Sequence, residues 1–262
     1  MKMLLTAVAS LLLFTAFAVA DDDKPTTQPA EKPLRVHMIS GSNEYKSEPS
    51  LKAWAAHLEE HYEIACTLSL GKDKGKDLPD IEKLKDADVM VVFCRRNTLP
   101  EEQIDIIRAH CKAGKPVIGL RTASHAFQNW KTYDRDIHGG SYSGHFGGEM
   151  VEANVETDAA DHPILNGIES WERPGKLYKN PKNADDTTTL ITGVGKKSKK
   201  SEPIAWVHVT EDGSRVFYTS MGYPSDFDNE TFQKLMFNAL QWVADRQIVE
   251  KPKDEEGEGS EE

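Results

Sequence analysis

Between residues 34 and 122, short apolar runs alternate with stretches of helical periodicity, and that alternation leaves few folds open. LRVHMIS (34–40) reads as a strand closed by Gly41, and SLKAWAAHLEEHY (50–62) as a helix. Leu51, Trp54, Ala55 and Leu58 share one face of that helix, and Ser50 is its expected N-cap. EIACTLSL (63–70) is a second strand and IEKLKDA a short helix. DVMVVFC (88–94) is almost continuously apolar, as in a strand buried on both faces of a parallel sheet. Pro100, Glu101 and Glu102 suit the start of a helix over 100–113 that Gly114 closes, and PVIGLRT (116–122) is the next strand. Strands alternating with helices imply right-handed crossovers and a parallel sheet.

The second half is less regular. TTTLITGV (187–194) is a candidate strand, PIAWVHV (203–209) and RVFYTSM (215–221) form a hairpin across EDGS, and 229–247 is an amphipathic helix. The expected class is α/β, with a mostly parallel sheet and antiparallel additions near its edge. One domain over 34–247 is enough to bury this core. Before it come an apolar run expected to be a signal peptide (1–20), with an uncleaved anchor as the alternative, and a Pro-rich linker (21–33). An acidic tail (248–262) follows it. The expected location is therefore secreted or periplasmic, with no membrane association after cleavage. The formal net charge of −11 argues against a nucleic-acid partner. Cys66, Cys94 and Cys111 cannot all pair within one chain and are expected to act as small hydrophobes. The oligomeric state is not readable.

In open α/β sheets ligands bind beyond the carboxyl ends of the strands, so the segments at that rim carry the candidates. After the first strand stand Ser42, Asn43, Glu44 and Tyr45. GLRTASHAF (119–127) passes from a strand into an expected helix, and places Arg121 where a strained turn would present a nucleophile, with Ser124 and His125 close behind. The arginine fork cannot attack a carbonyl but suits hydroxyls, carboxylates or phosphates. IHGGSYSGHFGGE (137–149) holds five glycines and is expected to be irregular, its backbone free to approach a ligand. Here His138 and His145 are candidate acid/base groups, and Tyr142 is a candidate wall for a sugar ring. Their spacing matches no strong zinc motif, so neither a metal nor another cofactor is expected. Tyr223 and Asp226 lie after the last strand, where Asp226 and Asp228 equally suit capping of the final helix.

Taken in order, GLRTASHAF, Gly139-Gly140-Ser141-Tyr142-Ser143-Gly144-His145, His162-Pro163-Ile164, Pro203-Ile204-Ala205-Trp206 and RVFYTS resemble the ThuA-like (trehalose-utilisation) family over most of 34–245. The resemblance implies a three-layer α/β/α, flavodoxin-like fold of the class I glutamine amidotransferase kind, without amidotransferase chemistry. It also implies a small-molecule carbohydrate ligand. His145 matches the motif's retained histidine, whereas Arg121 and Tyr223 stand where many relatives have histidine. Three readings follow: binding or processing of a sugar-derived ligand, a non-catalytic sugar-binding or assembly module, and metal-dependent hydrolysis needing His138, His145 and a carboxylate together.

Overall fold

The computed structural model describes residues 32–252; the expected signal peptide, nearly all of the expected linker and residues 253–262 of the expected tail lie outside the described residues. Its backbone is a nine-stranded sheet in the order β2-β1-β3-β4-β9-β8-β7-β5-β6. The strands are β1 (Leu34–Gly41), β2 (Ile64–Leu70), β3 (Val89–Cys94), β4 (Val117–Leu120), β5 (His145–Val155), β6 (Trp171–Tyr178), β7 (Thr188–Gly195), β8 (Ser201–Val209) and β9 (Arg215–Thr219). The helices are α1 (Ser47–His61), α2 (Glu101–Lys112), α3 (Pro224–Phe227) and α4 (Glu230–Ala244). Strands β2, β1, β3, β4 and β9 are mutually parallel, in the 2-1-3-4-5 order of flavodoxin-like sheets. The other four run antiparallel in series from β9, so the expected additions amount to a second half of the sheet.

Strand periodicity explains the three layers. In β3, Val89, Val91 and Phe93 face one core while Met90, Val92 and Cys94 face the other, as successive side chains of a strand must. The first core is closed by Leu51, Trp54 and Leu58 of α1 and by Phe232, Leu235, Met236, Leu240 and Val243 of α4. The second is closed by Ile104, Ile107 and Cys111 of α2, with Leu78, Ile81 and Leu84. Burying each large aliphatic side chain contributes about 1.5–3 kcal/mol. Helices on both faces therefore follow directly from strands that are apolar on both faces.

Several local expectations shift. Helix α1 starts at Ser47, before the expected cap Ser50, because the Lys46 carbonyl already accepts the Ser50 amide at 3.2 Å. Pro49 is tolerated there because amides of a first turn have no helical acceptor. IEKLKDA gives a 3₁₀ turn (Ile81–Asp86), and the expected helix after β4 is only a 3₁₀ turn, Arg121–His125. The glycine-rich segment is not irregular throughout, since His145 to Glu149 belong to β5. At its other end, Ile248 is buried and Glu250 bridges Tyr62, so residues 248–252 belong to the domain and not to a solvated tail. All three cysteines are free thiols; burial pushes Cys66 and Cys111 up to about 12.

Candidate functional site

The loops after β1, β3, β4 and β9 meet at the carboxyl rim of the parallel strands. The turn after β3 is tied to the turn after β4 by Arg96 N–H to the His125 carbonyl (2.8 Å) and Asn97 N–H to the Ala126 carbonyl (2.6 Å). Arg121 opens the second of these turns with φ of +46°, a left-handed conformation that L side chains adopt at a cost. The elbow geometry at the end of β4 is therefore present, occupied by an arginine.

That arginine does not line a cavity. Arg121 is 0% exposed, and its guanidinium carbon lies 4.0 Å from the ring centres of both Tyr45 and Tyr223 and 5.0 Å from that of Tyr178. Nη1 donates to the Ser220 carbonyl at 2.6 Å, while Nε and Nη2 find no hydrogen-bond partner. Burial acts to lower its pKa, but the hydroxyls of Tyr178, Tyr45 and Tyr223 outweigh this and the value is raised, so the cage holds a permanent cation. The direct ligand contact expected of Arg121 is thus closed off by the tyrosines that enclose it.

From Arg121 an unbroken aromatic path leads to open space. Tyr178 lies 4.7 Å from Tyr142, whose ring stacks on His125 at 4.4 Å with 14° between the planes. Beside this stack is a cavity of about 570 Å³ whose lining includes Ser124, His125, Tyr142, Asp134, Arg96 and Lys182. Ser124 Oγ is 3.0 Å from His125 Nδ1. Burial first, and then the charges of Arg96, Arg95 and Arg121, press the His125 pKa down to about 3, so the ring is neutral at ordinary pH. Other clefts, one of about 790 Å³ beside α4 and one of about 550 Å³ near the β8–β9 turn, include none of Ser124, His125 and Tyr142.

The remaining candidates separate. His145 is exposed, with Nδ1 2.9 Å from the Phe146 carbonyl, but its ring lies 6.4 Å from that of Tyr178, so it shares the Arg121 side of the molecule. His138 is 0% exposed and shares a 3.0 Å hydrogen bond with Asp134, beneath Gly119 and Tyr218. The backbone approach that the glycines permit is made to this same carboxylate: a Cβ at Gly140 would sit 2.5 Å from Asp134 Oδ1. Asn43 is exposed, and Glu44 forms a 2.9 Å ion pair with Arg95. Asp226 is buried, bidentate to Arg173 at 2.8 and 2.5 Å, and takes the amides of Gly222 and Tyr223 at 2.7 Å, so it shapes the loop rather than facing a ligand. The convergence of His138, His145 and a carboxylate does not occur, and among the described residues no three His, Cys, Asp or Glu side chains form a metal-binding group. Sequence reasoning missed Tyr178, Arg96, Lys131, Arg135 and Lys182, whereas Tyr45 is a candidate of the loop after β1 and is buried against Arg121.

A flavodoxin-like sheet with a strand-end cavity and an elbow filled by a caged arginine defines a three-layer α/β protein without the nucleophile of the amidotransferases. The ThuA family model, described as trehalose utilisation, matches residues 35–243, and the chain belongs to that family. Among solved structures it is similar to a ThuA-like protein of Parabacteroides merdae (TM-score 0.68, 18% identity, 84% of this chain and 93% of that one). It is also similar to a ThuA-like protein of Bacteroides uniformis (TM-score 0.62, 16% identity, 83% and 94%). At these identities the likeness carries the fold alone. No curated protein sequence matches the chain.

Proposed function

We propose that this ThuA-family protein binds or processes a carbohydrate-derived small molecule in the cavity beside Ser124, His125 and Tyr142, and that it does so outside the cytoplasm, secreted or periplasmic. The observation that carries the reading is the His125–Tyr142 stack on a concave surface of about 570 Å³ at the strand-end rim. A cavity of that size, with an aromatic wall and a few convergent polar groups, suits one or two sugar rings. The N-terminal apolar run followed by Asp21-Asp22-Asp23 supports export, which cell fractionation checks.

In this reading Tyr142 is a wall, Ser124 and His125 are hydrogen-bonding groups facing the ligand, and Arg121 supports the floor from behind its tyrosines. A second reading, binding without turnover, is favoured by His125 itself. An imidazole whose conjugate acid has a pKa of about 3 is a poor general base near neutrality. A thermal-shift screen of mono- and disaccharides and their oxidised forms, followed by product analysis, separates the readings. The expected result is a saturable stabilisation that disappears in Tyr142→Ala. No shift from any sugar, or a shift indifferent to Tyr142→Ala, ends the proposal.

A further inference from the structure

The cavity is unusual for an acidic protein in the charge of its walls. Arg96, Lys131, Arg135 and Lys182 line it, against a single acid, Asp134. The chain as a whole carries −11. The lone carboxylate is turned inward: Oδ1 is bound to His138 Nδ1 at 3.0 Å and Oδ2 takes the Tyr142 amide at 3.0 Å. The four cations are exposed, and none of them has an ion-pair partner among the described residues. Two larger or similar-sized clefts contrast with this one. That near the β8–β9 turn sets Arg108, Lys112 and Arg135 against Asp136, Asp186, Glu211 and Asp212, and that beside α4 sets Arg215 and Arg246 against Asp161 and Asp245.

A concave wall of one sign concentrates the field and raises the local concentration of the opposite charge. Of the four cations, Arg96 stands close enough to His125 to add to the burial that lowers its pKa. Tyr142 meanwhile supplies a ring face and Ser124 a hydroxyl, neither of which an inorganic anion needs. The surface thus pairs recognition of a ring with recognition of a negative group.

We propose that the ligand is an anionic carbohydrate derivative, a sugar bearing a carboxylate or a phosphate, whose charged group is met by Arg96, Lys131, Arg135 and Lys182 beside the Tyr142 ring. This rests on the reading of the cavity as a carbohydrate site and narrows it. Calorimetric titration with glucose, glucuronate, glucose 6-phosphate and inorganic phosphate tests it. At least one of the two sugar anions binds about tenfold or more tightly than glucose, weakens as salt is added, and loses about tenfold in each of Arg96→Gln and Lys182→Gln. Preference between the two shows whether the group is a carboxylate or a phosphate.

Because both substituted side chains are exposed, the variants fold. Equal binding of glucose and its anions overturns the charge assignment and leaves the carbohydrate site standing. Absence of binding by glucose and anions alike removes both. Sugar-anion binding that ignores Arg96→Gln and Lys182→Gln lies elsewhere on the molecule and overturns the proposal. Inorganic phosphate binding as tightly as glucose 6-phosphate overturns the sugar half of it.

Discussion

Arg121 concentrates three separate demands on one residue: a left-handed backbone, a buried charge and a place between two aromatic faces. The backbone strain is of order 1–2 kcal/mol for an L residue. It is held because the guanidinium fills the space between Tyr45 and Tyr223, while the Arg121 carbonyl accepts the Tyr218 hydroxyl at 2.6 Å. Truncation leaves the Ser220 carbonyl without its donor and empties the cage, so Arg121→Ala is expected to lose about 3 kcal/mol in urea unfolding. Arg121→Gly makes the same cavity but relaxes φ, and is expected to be about 1 kcal/mol more stable than the alanine variant. If Gly and Ala unfold together, the strain assigned to this turn is absent. At this scale the sequence was informative about position and silent about exposure. The strand-to-turn pattern located Arg121 at the rim, but its cage draws on β6 and on the loops after β1 and β9, which no local pattern brings together.

Elements differ in how legible they are for a physical reason. Strands β1 to β4 read directly from apolar runs such as LRVHMIS and DVMVVFC; their bounds shift by a few residues at most. Strands β5 and β6 escaped because β5 is half exposed and begins HFGGE, and β6 carries Pro174 and Gly175, residues that ordinarily argue against a strand. Missing them hid Tyr178, which the β5–β6 register sets opposite His145. The two elements are locked to the far side of the site by one ion pair, Arg173 of β6 with Asp226 of α3, both buried. Asp226→Asn keeps the shape but leaves a buried guanidinium without its counter-charge, and weakens the acceptor for the Gly222 and Tyr223 amides. A loss of about 3–5 kcal/mol is expected by denaturant titration. Arg173→Met with Asp226→Leu, which removes both charges, is expected to recover most of it. A single substitution as mild as the double would mean that the pair is not desolvated.

Across the whole molecule, the second core places two neutral histidines behind the parallel strands, and together with His125 they shape how the fold responds to acid. His37 of β1 is fully buried, with ring nitrogens 2.7 Å from the Thr67 hydroxyl and 3.0 Å from the Ser69 hydroxyl of β2. Burial, with His110 and Lys83 adding to it, lowers its pKa to about 4. His110 of α2 is also buried, 3.1 Å from the Pro116 carbonyl, and burial lowers its pKa to about 4 despite that acceptor. Each folded value lies below the unfolded value of about 6.5, so the unfolded chain takes up these protons first. The stability that the neutral rings contribute is complete above about pH 6.5 and is lost as pH falls toward about 4, on the order of 3 kcal/mol for each ring. Carboxylates add to the loss mainly below that window, since the Asp88 pKa is itself lowered: burial opposes the shift, but hydrogen bonds from Arg35 outweigh it. Urea unfolding between pH 7 and 4.5 is therefore expected to show a falling free energy, and His37→Asn to be less stable at pH 7 but flatter across the window. An unchanged slope in that variant would mean that the folded His37 pKa is not lowered below its unfolded value.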